Sequence, residues 1–265
     1  RWRTPSPPLE VARDSRRPGR RSRAGSVGLA AVGLGGTGAA EDVVCDARSV
    51  MEALPSGTAC YVAGGDTPSR GVVIVPDIGG LRPLFTDLCD RLAAENDWAV
   101  ACFEPWPGRT DLPIETRLEV AGTLDDSALL GDAAAAADLL AVSPVAILGF
   151  CMGGSFALKG AATGRFDRAV SFYGMVRLPE HWSTATLGEP LEVLAASDDP
   201  APILMVCGTA DPWVPVDDLD TLAARGAEVV RYEGADHGFV HDPSRPAHRP
   251  VDAADAWARV GVFLG

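Results

Sequence analysis

The stretch Val145-Ala-Ile-Leu-Gly-Phe-Cys-Met-Gly-Gly-Ser155 decides how the rest of the sequence is interpreted. Its first four residues are typical of a buried parallel strand, and a tight turn and a helix-forming run follow them. Gly149 and Gly153 flank Cys151, which gives the nucleophile-elbow pattern G-x-S-x-G with cysteine in the serine position. Such an elbow needs nearly side-chain-free neighbours and sets the nucleophile at a helix N-terminus, where N–H groups favour a thiolate. The alternative is an ordinary strand–turn–helix junction with a buried cysteine.

Composition limits the classes of protein that the chain can represent. With 265 residues, 47% of them apolar, it can bury one large core. The formal net charge of −13 argues against nucleic acid and anionic membranes as partners. The sequence has no apolar run of about 18 residues, the length that a membrane span needs. The six cysteines lack CxxC or Cys/His spacing, which predicts reduced thiols in a cytoplasmic protein and neither a disulfide framework nor a metal site. They are Cys45, Cys60, Cys89, Cys102, Cys151 and Cys207.

Residues 1–40 differ in composition from the rest of the chain. They are rich in Arg, Pro and Gly and lack hydrophobic periodicity, so we predict a basic, disordered tail before a single domain at 41–265. Arg20 and Arg21 precede a Gly/Ala stretch, which leaves a twin-arginine-like export signal open. A G-x-G-x-x-G pattern is also present, but no β-α-β pattern surrounds it, so a linker is favoured over a dinucleotide site. Its glycines are Gly33, Gly35 and Gly38.

From residue 41 onward, apolar strands alternate with helices. Strands that are apolar throughout and alternate with helices indicate an α/β fold with a mostly parallel sheet covered by helices on both faces. Residues 108–122 are predicted to be a loop region with some helix potential, and residues 177–200 to be irregular. The predicted strands are 71–75, 98–103, 145–148, 168–173, 202–207 and 228–232, and the predicted helices are 83–95, 126–142, 216–224 and 251–264, with a further helix after the elbow.

Two strand ends supply the partners that a nucleophilic cysteine needs. Asp211 follows strand 202–207 and His237 follows strand 228–232, and the carboxyl ends of parallel strands meet at one edge of the sheet. The order nucleophile, acid, histidine is that of α/β-hydrolases. Asp217 and Asp218 are rival acids, although they look like helix-start residues, and Asp236 would need an awkward turn to meet the His237 ring.

With these residues the chain resembles the dienelactone hydrolase family, the cysteine-nucleophile branch of the α/β-hydrolase fold. The resemblance covers about residues 42–265 and lies in three blocks: Gly149–Gly154, Gly208–Pro215 and Ala235–Phe239. It implies that Cys151, His237 and Asp211 form a triad acting on a small ester or lactone through an acyl-enzyme, with no cofactor, in a monomer or small homo-oligomer.

The resemblance also implies roles for residues around the triad. Backbone N–H groups of Ile78 and Met152 would form the oxyanion hole. Asp77 stands where the family has a glutamate that contacts the resting nucleophile, and it would suppress the thiolate. The family holds a substrate carboxylate with arginines; Arg117 is a candidate for one of them, and His241 stands in place of the other. A histidine is the poorer anchor, so we expect weak activity on dienelactone, rising toward acidic pH, and better activity on uncharged esters.

Other functions remain compatible with the same residues. Acyl transfer or thioester cleavage would use the same triad with a different acceptor or substrate, because exclusion of water is a property of the pocket. A non-catalytic binding protein of the same fold would be indicated by a missing triad member, and none is missing.

Overall fold

One eight-stranded sheet forms the centre of the residues that the computed structural model describes, 48–265. The predictions for the tail, the export signal and the glycine pattern lie outside those residues. The strands are β1 (Arg48–Ala53), β2 (Ala59–Gly64), β3 (Arg70–Val75), β4 (Trp98–Phe103), β5 (Val145–Phe150), β6 (Ala169–Phe172), β7 (Ile203–Gly208) and β8 (Glu228–Tyr232).

Seven α-helices accompany the sheet in the described part of the chain. Asp125 caps the third of them, because its side chain accepts a hydrogen bond from the backbone N–H of Ala128 at 2.9 Å. The helices are α1 (Pro83–Asn96), α2 (Ile114–Val120), α3 (Asp126–Leu139), α4 (Met152–Gly160), α5 (Pro190–Ala195), α6 (Val216–Ala223) and α7 (Pro250–Leu264).

The strand order across the sheet is β1-β2-β4-β3-β5-β6-β7-β8. Strands β3 to β8 pair in parallel, whereas β1 pairs antiparallel with β2, and β2 pairs antiparallel with β4. Every residue of β3 to β7 is buried, as expected for parallel strands covered on both faces. The predicted α/β fold with a mostly parallel sheet is therefore confirmed.

The sequence interpretation missed the two antiparallel strands and one helix. In β2 only Cys60 and Ala63 are fully buried, and β1 lies at the sheet edge, so neither has the continuous apolar run that marks the parallel strands. Helix α5 lies inside residues 177–200, which were predicted to be irregular; it is only six residues long and begins at Pro190. The helix potential of residues 108–122 is confirmed by α2.

The sheet brings five loops to one edge, because β3 and β5 to β8 all run in the same direction. The loops after these strands carry, in chain order, Asp77 with Ile78, Cys151, Tyr173, Asp211 and His237. Ligands of open parallel sheets bind at this carboxyl-terminal edge. No helix within residues 48–265 is long and apolar enough to cross a membrane.

Candidate active site

Cys151 lies at the turn between β5 and α4 in a backbone conformation that is rare for a residue with a side chain. Its φ is 55° and its ψ is −120°. A Cβ at Gly149 would lie 2.0 Å from the carbonyl oxygen of Gly153, and a Cβ at Gly153 would lie 2.1 Å from the carbonyl oxygen of Val75. Because both contacts are with backbone, neither can be relieved by a side-chain movement. The predicted requirement for glycine on both sides of Cys151 is confirmed, and the strain is of the kind found at functional sites.

Asp211 and His237 meet as the strand order predicts. The Nδ1 atom of His237 lies 2.8 Å from Oδ2 of Asp211, and the Asp211 side chain is fully buried. The second oxygen of Asp211 accepts the backbone N–H of Trp213 at 2.8 Å, so both oxygens of the carboxylate are hydrogen-bonded. The carboxylate thereby holds the tautomer of His237 that has its proton on Nδ1.

The rival acids have other partners. Asp236 accepts the backbone N–H of His237 at 2.7 Å, and the hydrogen bond to the ring comes from Asp211 instead. Asp217 and Asp218 lie in the first turn of α6, as their sequence position suggests, and Asp218 pairs with Arg177 at 3.0 Å. Asp211 is therefore the carboxylate that holds the ring of His237.

His237 is set up to carry a proton beside the cysteine. Burial lowers the pKa of His237, but negative charge on Cys151 and the hydrogen bond to Asp211 outweigh it and raise this pKa to about 10. The Nε2 atom is buried and has no hydrogen-bond partner of normal geometry among the described residues. It is the ring atom left to exchange a proton with the sulfur or with a substrate.

Two backbone N–H groups near the cysteine lack acceptors. Within residues 48–265, neither Ile78 nor Met152 donates its N–H to another group of the chain. Met152 is the first residue of α4, so its N–H has no partner within the helix and lies at the positive end of the helix dipole. Unpaired donors of this kind are what an oxyanion hole requires.

The loop that carries Ile78 is held from two sides. Asp77 accepts the N–H of Gly79 at 2.8 Å, and Arg117 donates from Nη1 to the carbonyl oxygen of Ile78 at 3.2 Å. Glu104 accepts the N–H of Leu81 at 3.0 Å. The first two bonds hold the Ile78–Gly79 peptide group, next to the peptide group that carries the Ile78 N–H.

Asp77 has partners other than the cysteine. Its carboxylate forms two hydrogen bonds with Arg82, at 2.6 and 2.8 Å, and a third with Nε2 of His241 at 2.9 Å. Burial raises the pKa of Asp77, but His241 and Arg82 outweigh this effect and hold it well below its usual range. The predicted contact with Cys151 is not among its hydrogen bonds, because Arg82 and His241 occupy both oxygens of this short side chain.

His241 is not placed as an open substrate anchor. Its side chain is 1% exposed, Nε2 bonds to Asp77, and Nδ1 bonds to the hydroxyl of Tyr173. An anionic carboxylate can only accept, so Nε2 carries the proton, and Tyr173 therefore donates to Nδ1. Burial lowers the pKa of His241, which keeps this ring neutral.

Arg117, the other predicted anchor, is also engaged inside the protein. It is buried and donates to three backbone carbonyl oxygens, those of Ile78, Thr110 and Leu112. It supports the loop that carries Ile78 and does not face a substrate as a free cation.

Two aromatic residues of the site were not anticipated. Tyr173 follows β6 with a φ of 42°, and its ring meets the His237 ring edge-on with centroids 5.1 Å apart. Trp213 lies two residues after Asp211, with its ring centroid 6.4 Å from that of His237. Tyr173 is the last residue of the predicted strand 168–173, and Trp213 lies in the loop after the predicted strand 202–207. A position at or after a strand end was the available signal. Across the described part of the chain, no group of three or more His, Cys, Asp or Glu side chains is arranged to hold a metal ion.

A strained cysteine at a strand–helix elbow, with an acid and a histidine after later strands of a mostly parallel sheet, defines the α/β-hydrolase class. The chain belongs to the dienelactone hydrolase family, whose family model matches residues 58–265. This is a family of hydrolases that act on ester bonds.

Individual relatives agree with this assignment. The chain is 29% identical to a carboxymethylenebutenolidase of Rhodococcus opacus over 214 residues, which cover 76% of this chain and 83% of that protein. It is 31% identical over 208 residues, 73% of this chain and 82% of the relative, to a Bradyrhizobium protein assigned as a 2-oxo-3-(5-oxofuran-2-ylidene)propanoate lactonase. A crystal structure from Klebsiella pneumoniae, assigned as a dienelactone hydrolase, aligns with a TM-score of 0.72 and 26% identity, covering 81% of this chain and 96% of that one.

Proposed function

We propose that this chain hydrolyses small carboxylic esters or lactones by forming an acyl-enzyme at Cys151, with His237 as acid and base and Asp211 as its orienting group. One observation carries the proposal: the strained cysteine, the buried histidine–aspartate pair and two unpaired backbone N–H groups lie at the same sheet edge. Acyl transfer needs these three functions, namely a nucleophile, a proton carrier and a receptor for negative charge.

The first half of the reaction transfers the acyl group to sulfur. The thiol proton of Cys151 passes to Nε2 of His237, and the Sγ atom attacks the carbonyl carbon. The N–H groups of Ile78 and Met152 stabilise the negative charge on the carbonyl oxygen. As the intermediate collapses, the C–O bond to the alcohol breaks, and Nε2 of His237 gives its proton to the departing oxygen. The products of this half are a thioester at Cys151 and a free alcohol, or the opened ring of a lactone.

The second half releases the acid. Water attacks the thioester carbonyl while Nε2 of His237 accepts one of its protons, and the C–S bond then breaks. The hydrogen bond of 2.8 Å to Asp211 keeps the ring in the tautomer that both halves need. The carboxylic acid leaves and the enzyme returns to its starting state.

The cations expected to bind a substrate carboxylate are engaged within the chain. The two cations expected at the substrate carboxylate are Arg117 and His241, and the chain itself occupies the hydrogen-bonding atoms of both. Arg82 is neutralised by its two bonds to Asp77. A carboxylate-bearing lactone such as dienelactone would therefore gain little from these groups compared with a neutral ester of the same size.

A substrate panel with two cysteine variants tests the proposal. Purified protein is assayed with p-nitrophenyl esters, neutral lactones, thioesters and dienelactone, beside Cys151→Ala and Cys89→Ala. Cys89 is a buried thiol on α1, so its variant controls for the loss of any cysteine. We expect turnover of neutral esters or lactones by wild type and Cys89→Ala and none by Cys151→Ala. Full activity of Cys151→Ala would contradict the assignment of the nucleophile, and faster cleavage of thioesters than of all esters would change the substrate class.

A further inference from the structure

A large apolar ring is left in solvent beside the catalytic histidine. Trp213 is 41% exposed, although most of the large apolar side chains of the described residues are buried. Its ring centroid is 6.4 Å from that of His237 and 6.4 Å from that of Trp182, with which it stacks at an interplanar angle of 27°. An exposed indole that is continuous with a reaction site offers apolar surface to a substrate.

Trp213 is held by a hydrogen bond of its backbone and by the ring of Trp182 that it stacks on. The N–H of Trp213 donates to Oδ1 of Asp211 at 2.8 Å, which ties the residue to the acid of the triad. Trp182 is buried, and its Nε1 donates to the carbonyl oxygen of Leu118 at 2.9 Å. Because Trp182 cannot turn away, it forms a fixed backing for the exposed ring, and a flat group can stack without first ordering this part of the surface.

The proton donation by His237 indicates which part of a substrate would reach Trp213. His237 gives its proton to the oxygen of the leaving alcohol, so the alcohol part of an ester must lie on the His237 side of the carbonyl. The ring of Trp213 neighbours that of His237, with centroids 6.4 Å apart and planes tilted by 55°, so an alcohol group beside His237 is within reach of the indole. The acyl part is bonded to the carbon that Cys151 attacks and lies on the other side of the departing oxygen.

We propose that Trp213 is a specificity-determining residue that binds the alcohol part of the substrate and favours flat, unsaturated or aromatic alcohols. The inference rests on the proposed ester hydrolysis and adds the location and chemical class of one subsite. Since the alcohol leaves with the first product, Trp213 contributes to acylation and has no role in hydrolysis of the acyl-enzyme. Its effect belongs to kcat/KM and disappears from kcat wherever the second half of the reaction limits the rate.

The experiment compares two pairs of esters in wild type, Trp213→Ala and Trp213→Phe. Benzyl butyrate against ethyl butyrate varies the alcohol, and ethyl phenylacetate against ethyl butyrate varies the acyl group. For each pair we take the ratio of the two kcat/KM values and divide the wild-type ratio by that of the variant. This division cancels the intrinsic reactivity of the esters. Val262→Ala, an exposed apolar position on α7, serves as the control for removal of surface area.

We expect Trp213→Ala to lower the preference for benzyl butyrate over ethyl butyrate about tenfold, because one aromatic contact and the apolar area that it buries are lost. Trp213→Phe should retain most of the preference, and the acyl pair should not change. A change confined to the acyl pair, or no change in either pair, would overturn the inference while turnover of ethyl butyrate still supports ester hydrolysis. Absence of turnover with every ester would count against the proposed function.

A second measurement does not depend on turnover. Benzyl alcohol, the expected product, should slow alkylation of Cys151 by iodoacetamide in wild type and Trp213→Phe, as followed by peptide mass spectrometry. In Trp213→Ala the protection should be weaker by a similar factor. Equal protection in all variants would refute the alcohol subsite even in a protein that hydrolyses none of the esters.

Discussion

Two histidines of one loop, His237 and His241, each contact a buried aspartate and have opposite properties. His237 bonds to Asp211 through Nδ1 and leaves Nε2 without a partner of normal geometry among the described residues. His241 bonds to Asp77 through Nε2 and to Tyr173 through Nδ1, so both of its nitrogens are used. The pKa of His237 is raised to about 10, whereas burial lowers that of His241.

The comparison shows that a histidine–aspartate pair is not in itself a catalytic unit. What differs is the group facing the second ring nitrogen. At His237 a negative charge on Cys151 favours the protonated ring, and the free nitrogen can exchange its proton. At His241 the Tyr173 hydroxyl occupies the second nitrogen, and the rings of Phe85 and Phe150 pack against the imidazole with centroids 5.8 and 4.8 Å away. We therefore propose a catalytic role for the first pair and a structural role for the second.

The largest expected effect comes from exchanging each histidine for glutamine. His237→Gln should lower kcat/KM on a neutral ester about a thousandfold, because glutamine cannot carry the proton between sulfur, alcohol and water. His241→Gln should stay within about fivefold of wild type, because an amide can still accept from Tyr173 and donate to Asp77. Steady-state kinetics of the two variants, with circular dichroism to confirm folding, make the comparison. Equal losses in both variants would mean that the second pair takes part in the chemistry.

A smaller effect, on stability, is expected for Asp77→Asn. The free energy of unfolding should be about 2–3 kcal/mol lower in the variant at neutral pH, because it loses charge-assisted bonds to Arg82 and places an uncharged amide against His241. The folded state holds the pKa of Asp77 below its unfolded value, so the carboxylate stabilises the fold above about pH 4, and this contribution is lost as the pH falls further. We expect urea unfolding to show a difference in the free energy of unfolding between wild type and Asp77→Asn. This difference should be constant from neutral pH down to about pH 4 and become smaller below it.

The same variant tests the role that the sequence suggested for Asp77. A carboxylate in contact with the resting thiol would suppress the thiolate, and its removal would speed alkylation of Cys151 at mildly acidic pH. Because Asp77 is bonded to Arg82 and His241 instead, we expect Asp77→Asn to be alkylated at the wild-type rate. Clearly faster labelling would restore the original prediction.

The smallest expected effect is on substrate charge. An open histidine would gain charge near its ordinary pKa and raise the activity on an anionic lactone as the pH falls. Since His241 is buried with both nitrogens bonded and its pKa lowered, the rate on a carboxylate lactone divided by that on its neutral methyl ester should change less than about twofold between pH 8 and 6. A severalfold rise of this ratio toward pH 6 would show that an ionising cation contacts the substrate.

The sequence was informative where function depends on order along the chain. Cys151, Asp211 and His237 each follow a run of apolar residues, and parallel strands bring such positions to one edge. The glycines at 149 and 153 could be assigned because the backbone conformation of the elbow leaves no room for a Cβ.

The sequence could not show which polar groups pair with one another across the fold. His241 contacts Tyr173 and Asp77, which lie 68 and 164 residues away along the chain. Arg117 reaches the carbonyl oxygen of Ile78, 39 residues before it. Whether such a residue faces a substrate or the protein interior depends on tertiary contacts that no local pattern encodes. The half-exposed strand β2 was missed for a related reason, since its side chains are buried only in part.

The most direct test of the account is to identify the acylated residue in the two histidine variants. Each protein is mixed with p-nitrophenyl butyrate, quenched in acid within the first turnover and digested for peptide mass spectrometry. The account predicts a butyryl group on Cys151 in wild type and in His241→Gln, and little or none in His237→Gln on the same time scale. Butyryl groups on another residue, or equal acylation of Cys151 in both histidine variants, would contradict it.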